Sequence, residues 1–279
     1  MNDLNIKKTE TADSRPIGVF DSGIGGLTVL RELISQFPNE NFLYLGDTAR
    51  LPYGSKSAPT VRKYCEQNMN FLISRNVKAL IVACNTASTQ VPENNFLGLP
   101  VYNVIDPGAR LAATKTRNKK ILVLGTRATV KSEAYKNKIL ALDSKIQIES
   151  IACPLFVPLA EEGWTEDSIT EQIALKYFSE LTLKDFDTVV LGCTHYPLLK
   201  NTLQKVFGEN ISLIDSGSAI CEILKNDFKN LKLNPNTTEK QENLKICLTD
   251  FGPQFEYLSK QLISAVTTRK IDFETVSVI

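Results

Sequence analysis

The sequence predicts an α/β protein of two pseudo-symmetric domains, each a largely parallel sheet flanked by helices, with a site in the cleft between them. Apolar runs of strand length alternate with amphipathic helical patterns along most of the chain, which favours parallel sheets with helices on both faces. Two of these runs end in a small residue, a cysteine and polar side chains, at Cys84 and at Cys193. The cysteines lie 109 positions apart, and the loosely similar turns at Asp21 and Thr126 lie 105 apart, so we expect two related halves.

Composition describes an ordinary globular protein of 279 residues, 43% of them hydrophobic and 23% charged. The formal charge of +1 excludes the basic excess that nucleic-acid and membrane surfaces normally need, and we expect neither partner. Residues 1–15 are polar and lack the apolar core of a signal peptide, so a cytoplasmic location with six reduced thiols is expected. With a single histidine and no Cys-x-x-Cys pair, no metal site is expected.

The first half opens with a strand at 17–20 and a glycine-rich turn at 21–26, which can hold an anion but carries no nucleotide-binding motif. A helix follows it, with an apolar face that begins at Leu27. A second strand at 41–45 enters a long loop at 46–56, the kind of segment that often supplies ligand contacts. Further strands are predicted at 79–82 and 101–105, and residues 1–15 are predicted to form a flexible arm.

The second half repeats this alternation. Residues 153–158 contain two prolines, which argues against both a regular helix and a central strand there. Thr165 is predicted to cap the next helix, and residues 229–245 to form a polar surface connection. Strands are predicted at 121–124, 146–152, 188–191, 211–214 and 246–248, and helices at 131–142 and from Phe255 to Ile263.

Two cysteines at strand ends on facing halves would flank one cleft. A lone cysteine is usually buried core, and the cysteines at 65, 153, 221 and 247 keep that interpretation. A facing pair can instead perform acid/base chemistry, because one thiolate can remove a proton from a carbon while the other thiol donates to the opposite face. Asn85, Thr86 and Thr194 are available to hold an adjacent carboxylate, and Asp21 to accept from an ammonium group.

Structural explanations compete with several of these assignments. His195 alone is more often a hydrogen-bonded core histidine than a catalytic group, although its place beside Cys193 favours a role in the site. Asp21 has the position of a helix cap before glycines, and both functions are compatible. Tyr53 and Gly54 have the composition of a simple turn.

Four motifs together resemble the glutamate racemases, within the cofactor-independent amino-acid racemases. They are Ile17-Gly18-Val19-Phe20-Asp21-Ser22-Gly23-Ile24-Gly25-Gly26-Leu27, Gly46-Asp47-Thr48-Ala49-Arg50-Leu51-Pro52-Tyr53-Gly54, Ala83-Cys84-Asn85-Thr86-Ala87 and Gly192-Cys193-Thr194-His195-Tyr196-Pro197-Leu198. The resemblance spans roughly residues 16–265 and implies interconversion of L- and D-glutamate without a cofactor, with Cys84 and Cys193 as the acid/base pair. It also implies carboxylates near the thiols at Asp21 and Glu161. The implied substrate contacts are Asp21, Ser22, Tyr53, Gly54, Asn85, Thr86, Thr194 and His195.

The same resemblance implies a domain division and a cellular role. The first domain would comprise 16–109 and 215–279, and the second 110–214. The product would be D-glutamate for peptidoglycan, and we expect a homodimer. Some extended members are activated by a muramic-acid precursor of the cell wall, which makes that precursor a candidate partner. The chain departs from the pattern at Asp106, where glutamate is more usual, without consequence for the chemistry.

Two classes of alternative stay open at this point. The same scaffold could act on aspartate or another acidic amino acid, or use a cysteine as a nucleophile in hydrolysis. A protein that only binds acidic metabolites, with incidental thiols, is the alternative outside enzymes. Incorporation of deuterium at Cα separates a racemase from both.

Overall fold

The computed structural model describes residues 12–91, 94–230, 232–237 and 242–278. Within them, eleven strands alternate with eleven helices and four short 3-10 turns. The strands are β1 Ile17–Asp21, β2 Phe42–Gly46, β3 Ala79–Val82, β4 Asn94–Phe96, β5 Leu99–Asn103, β6 Lys120–Gly125, β7 Gln147–Ala152, β8 Thr188–Gly192, β9 Ser212–Asp215, β10 Asn243–Leu248 and β11 Lys270–Thr275. The helices are α1 Leu27–Gln36, α2 Ala58–Ser74, α3 Asn85–Ser88, α4 Ile105–Lys115, α5 Arg127–Lys131, α6 Ala134–Leu142, α7 Phe156–Glu161, α8 Ser168–Tyr177, α9 Lys200–Phe207, α10 Ser216–Lys229 and α11 Pro253–Ser264.

These strands form two separate sheets. The first has seven strands in the order β11-β10-β2-β1-β3-β5-β4, and the second has four in the order β7-β6-β8-β9. Every pairing is parallel except that of β4 with β5. The predicted α/β class with largely parallel sheets is confirmed.

Apolar clusters cover both faces of each sheet, which explains why the strands have nearly continuous apolar sequences. In β3, Ala79 and Ile81 enter one cluster of the first sheet, whereas Leu80 and Val82 enter the other. In β6, alternate residues likewise divide between the two clusters of the second sheet. Successive side chains of a strand point to opposite faces, so an apolar run is needed wherever both faces are buried.

The chain passes from the first sheet to the second and back once. Strands β1–β5 belong to the first sheet, β6–β9 to the second, and β10 and β11 return to the first. Helix α4 runs across the predicted boundary between residues 109 and 110, and β9 ends at Asp215. The predicted residue-by-residue domain limits therefore stay a prediction.

Several local predictions differ from the structure. Residues 153–158 were expected to exclude a helix, yet α7 begins at Phe156, and Pro158 is tolerated because it lies in the first turn, where no intrahelical N–H bond is lost. Thr165 was expected to cap the following helix, but the cap is Asp167, whose carboxylate accepts from the Ile169 amide at 2.7 Å.

The edges of the first sheet also differ from expectation. Strand β5 ends at Asn103, two residues before the predicted limit, because α4 begins at Ile105. Strands β4 and β11 were not predicted. Part of the predicted 229–245 connection lies outside the described residues, and α10 reaches Lys229.

Residues 1–11 of the predicted N-terminal arm lie outside the described residues. The last residues of the arm contact side chains next to strands of the first sheet. The backbone carbonyl of Asp13 accepts from Lys78 Nζ at 2.8 Å, and that of Ser14 accepts from Asn41 Nδ2 at 2.9 Å. The Lys78 ammonium also forms a buried ion pair with Glu40. Among the described helices, none combines the length and hydropathy needed to cross a bilayer.

Candidate active site

A cavity of about 200 Å³ lies where the carboxyl ends of strands from both sheets face each other. It is smaller than the roughly 300–1,000 Å³ of pockets for drug-sized ligands, and its size suits a small metabolite. Among the described residues that line it, none carries a carboxylate. The lining residues are Ser22, Pro52, Tyr53, Gly54, Ser55, Cys84, Asn85, Thr86, Thr126, Arg127, Pro154, Val157, Pro158, Cys193, Thr194 and His195.

Cys84 comes from the first sheet. It follows β3 and is the N-cap of α3, where its sulfur accepts from the Ala87 amide at 3.4 Å. The Ser22 hydroxyl lies 3.7 Å from the same sulfur. Burial raises the pKa of the Cys84 thiol well above its usual value, and the charge of Asp21 raises it further, while the bonds from Ala87 and Ser22 lower it. The raised pKa favours the neutral thiol, so its ionisation depends on the charges that a bound substrate brings.

Cys193 comes from the second sheet, directly after β8. Its sulfur lies 3.8 Å from Nδ1 of His195, whose Nε2 lies 2.9 Å from Glu161 at the end of α7. Burial alone would lower the pKa of His195, but its contacts with Cys193 and Glu161 raise that pKa to about 10. The ring thus carries a proton beside the sulfur, and Glu161 holds the ring in place.

Asp21 lies behind the cavity wall and is fully buried. Its carboxylate accepts from the Gly23 amide at 3.0 Å and from the Thr194 hydroxyl at 3.3 Å, which connects the first glycine-rich turn to the residue after Cys193. Burial raises the pKa of Asp21, and the His195 charge and these hydrogen bonds offset part of that rise. Glycine is required at position 25, which lies against His195, because a Cβ there would be 2.5 Å from Nδ1 of that ring.

The mouth of the cavity is formed by uncharged contacts between the two halves. The Thr86 hydroxyl lies 2.8 Å from that of Thr126 and 3.3 Å from that of Thr129. A Cβ on Gly54 would lie 2.7 Å from Cβ of Thr126, so glycine permits the loop to approach this closely. The neighbouring Tyr53 is fixed by hydrogen bonds with Asp47 and with Asn68.

The structure brings nine of the ten sequence-predicted site residues to the cavity wall, with Asp21 immediately behind. Further residues line the cavity without having been predicted as site residues, among them Thr126, Arg127, Pro154, Val157 and Pro158. A signal existed for Thr126, because the internal repeat aligns it with Asp21. Arg127 is exposed at the first position of α5 and, within the described parts of the chain, has no hydrogen-bond or ion-pair partner.

Chemically, the arrangement offers two thiols at one small cavity. Cys84 is the N-cap residue of α3, and Cys193 lies beside a protonated imidazole. Thr86, Thr194 and Asn85, which carry hydroxyl and amide groups, line the same cavity. Such groups can bind a carboxylate and stabilise negative charge that develops on it. No group of three or more histidine, cysteine, aspartate or glutamate side chains suited to a metal ion occurs in the residues that the structure describes.

Comparison with known proteins assigns the chain to a family. The family model for Asp/Glu/hydantoin racemases matches residues 28–224. A glutamate racemase of Sulfurihydrogenibium sp. is 44% identical over 260 residues, covering 92% of this chain and 97% of the relative.

Two solved structures are similar over nearly their whole length. The glutamate racemase of Francisella tularensis in complex with D-glutamate is 36% identical with a TM-score of 0.85, covering 95% of this chain and 98% of its own. The Escherichia coli glutamate racemase in complex with L-glutamate and the activator UDP-MurNAc-ala is 29% identical with a TM-score of 0.75, covering 94% and 99%. The chain therefore belongs to the Asp/Glu/hydantoin racemase family.

Proposed function

We propose that this protein is a glutamate racemase that interconverts L- and D-glutamate without a cofactor, with Cys84 and Cys193 as its two acid/base groups. One observation carries the proposal: each cysteine follows a strand of a different sheet, and both line the same small cavity. Two thiols on one chain segment could not easily reach opposite faces of a carbon. Two thiols delivered by separate sheets can.

The reaction needs only proton transfers. In one direction the thiolate of one cysteine takes the α-hydrogen as a proton, so an S–H bond forms as the C–H bond breaks. The electron pair moves into the α-carboxylate, and the opposite thiol then donates its proton to the other face of the carbon. Each turnover therefore leaves the two sulfurs with exchanged protonation states, ready for the opposite enantiomer.

Stabilisation of the charge on the carboxylate is assigned to neutral donors. The side chains of Asn85 and Thr86 line the same cavity as the two thiols, together with the hydroxyl of Ser22. The buried Asp21 accepts the single proton of the Thr194 hydroxyl and thereby fixes this side chain at the cavity wall, in addition to its assigned contact with the substrate ammonium group. Such preorganised donors act where water is largely excluded, and both sulfurs belong to residues that are at most 6% exposed.

Selection of glutamate over aspartate is assigned to the loop that contains Tyr53 and Gly54. This loop lies against Thr126 and lines the same cavity as the two thiols, and we assign it the distal carboxylate of glutamate. A shorter substrate would leave buried donors unpaired, at about 1–3 kcal/mol for each lost partner. Comparable turnover of L-aspartate would contradict this assignment.

The wider role follows from the same assignment. We propose that D-glutamate serves peptidoglycan synthesis, that the enzyme is a cytoplasmic homodimer, and that a muramic-acid cell-wall precursor is a candidate activator. The six free cysteines support a reducing location. The activator in the E. coli relative supports a direct test, in which racemisation is measured with and without UDP-MurNAc-L-alanine. Sedimentation of the purified protein measures the oligomeric state.

The decisive experiment is incubation of the purified protein with L-glutamate in deuterium oxide. A racemase incorporates deuterium at Cα and brings the circular dichroism of glutamate to zero. A hydrolase or a binding protein does neither, so retention of the dichroism would refute the proposal. Parallel incubations with L-aspartate and L-glutamine measure the substrate preference, and a Cys84→Ser, Cys193→Ser double variant controls for a contaminating racemase.

A further inference from the structure

Tyr135 is a buried tyrosine outside the cavity wall that contacts both thiol-bearing segments. It is the second residue of α6 and is 3% exposed. Its ring packs against Gly192, where an added Cβ would lie 3.2 Å from the ring, and against Gly108, where the distance would be 3.0 Å. Since Gly192 directly precedes Cys193, the ring lies against the end of the strand that delivers the second thiol.

The Tyr135 hydroxyl reaches across to the first sheet. It donates to Oδ1 of Asn85 at 2.7 Å, and Asn85 directly follows Cys84. Nδ2 of Asn85 donates to the Ser216 hydroxyl at 3.0 Å, which leaves its second N–H group for another acceptor. Asn85 is 1% exposed, so its amide has few alternatives to these partners.

The direction of this amide matters for a carboxylate ligand. Rotation by half a turn would exchange the amide nitrogen and oxygen, and an oxygen aimed at a carboxylate repels it. After such a rotation the phenol could only accept from the amide nitrogen, and its own buried O–H group would lose the acceptor Oδ1, which disfavours the rotated amide. Burial raises the pKa of Tyr135, so its hydroxyl is protonated and able to donate at neutral pH.

We propose that Tyr135 is a positioning residue for racemisation: it fixes the Asn85 amide with its N–H toward the substrate carboxylate while its ring supports the segment that carries Cys193. The inference rests on the proposed function, because it takes Asn85 as a substrate contact. Tyr135 itself does not line the cavity, and it acts through Asn85.

The test is a double-mutant cycle between Tyr135→Phe and Asn85→Ala. Phenylalanine keeps the ring against Gly108 and Gly192 and removes only the hydroxyl. We expect Tyr135→Phe to lower kcat/KM for glutamate about tenfold in the parent background, the effect of one lost hydrogen bond to a group that contacts charge. In the Asn85→Ala background, the same change should alter kcat/KM less than twofold, because the amide that it positions is gone.

A matched control is Tyr102→Phe. It removes a hydroxyl that donates to Asp227 at a distance of 2.9 Å, and neither residue lines the cavity. Both tyrosine variants should lower the melting temperature by similar small amounts, while Tyr135→Phe alone lowers activity. The dissociation constant of D-glutamate, measured by calorimetry, gives a second cycle if the turnover of Asn85→Ala is too slow.

The outcomes distinguish a failure of the role proposed for Tyr135 from a failure of the proposed function. Equal losses for Tyr135→Phe in both backgrounds would overturn the inference, since the hydroxyl would then act independently of Asn85. Unchanged activity of Tyr135→Phe in the parent background would overturn it as well. A parent protein that leaves glutamate unchanged would remove the proposed function and this inference together.

Discussion

Replacement of either cavity thiol by a hydroxyl should abolish racemisation at ordinary rates. Cys84→Ser and Cys193→Ser each keep the shape of a small polar side chain at positions that are 5% and 6% exposed. A hydroxyl is far harder to ionise than a thiol, and burial at these positions makes an alkoxide harder still. A positioned acid/base group contributes about 10²–10⁴-fold to a rate, so each variant should lose at least about 100-fold in kcat/KM, or about 2.7 kcal/mol.

A reaction that needs only one base shows which thiol removes the α-proton from which enantiomer. A glutamate analogue with a leaving group on Cβ undergoes elimination after removal of the α-proton alone. Each variant should therefore retain elimination with one enantiomer only. From the family resemblance, Cys193→Ser should act on the D-analogue through Cys84, and Cys84→Ser on the L-analogue through Cys193. Chiral chromatography of the remaining analogue measures this preference.

Two controls make the result decisive. The four remaining cysteine-to-serine variants, at 65, 153, 221 and 247, should spare the chemistry. The two enantiomers have equal free energies in water, so kcat/KM of any variant must fall equally in both directions of racemisation. Racemisation by either single variant near the parent rate would refute the two-base mechanism, and so would elimination of both enantiomers by one variant.

Three further predictions follow from the contacts at and around the cavity. Ser22→Ala removes a hydrogen bond that lowers the pKa of Cys84, so the ascending limb of the pH–rate profile should shift to higher pH; an unshifted limb would contradict the assignment. Arg127→Gln should lower kcat/KM about fivefold at low salt, the effect of ~1 kcal/mol between charges about 4 Å apart in water, and the loss should shrink in about 1 M salt. Lys205→Gln, an equal charge change at the last turn of α9, should leave kcat/KM unchanged at both salt concentrations. The ion pairs of Glu274 lower its pKa to about 2, so their stabilisation is present above its usual pKa of 4.5 and is lost as the pH falls toward 2. Glu274→Gln should accordingly lower the free energy of unfolding at pH 7, measured by urea titration, by up to about 1 kcal/mol, with the difference between variant and parent disappearing near pH 2.

The sequence was informative wherever a local pattern and the tertiary environment agree. The apolar runs at β1, β3, β6 and β8 predict buried parallel strands because both faces of each sheet are covered. The repeated cysteine motif predicts that Cys84 and Cys193 lie at equivalent strand ends, and both line one cavity. Their chemical roles stay predictions until the variants are measured.

Other features depend on contacts that no local pattern encodes. Strand β11 alternates half-buried and exposed residues at the sheet edge, so its apolar signal is weak. Helix α7 contains a proline that only its position in the first turn makes acceptable. Tyr135 has an ordinary helical sequence around it, and its partner Asn85 lies 50 positions earlier, so only the folded structure connects them.

The contacts at the mouth of the cavity have a consequence for how glutamate enters and leaves. The bonds of Thr86 to Thr126 and of Thr28 to the Thr194 carbonyl join uncharged groups from the two halves of the molecule. Exchange of each such bond for one to water changes the free energy by only about 0.5–1.5 kcal/mol. The halves can therefore separate without breaking an ion pair at these points, and motions of this kind take microseconds to milliseconds. Charged contacts between the halves include those of Asp21 with the Thr194 hydroxyl and with the charge of His195, so these and the charges of the bound amino acid determine how long the site stays closed.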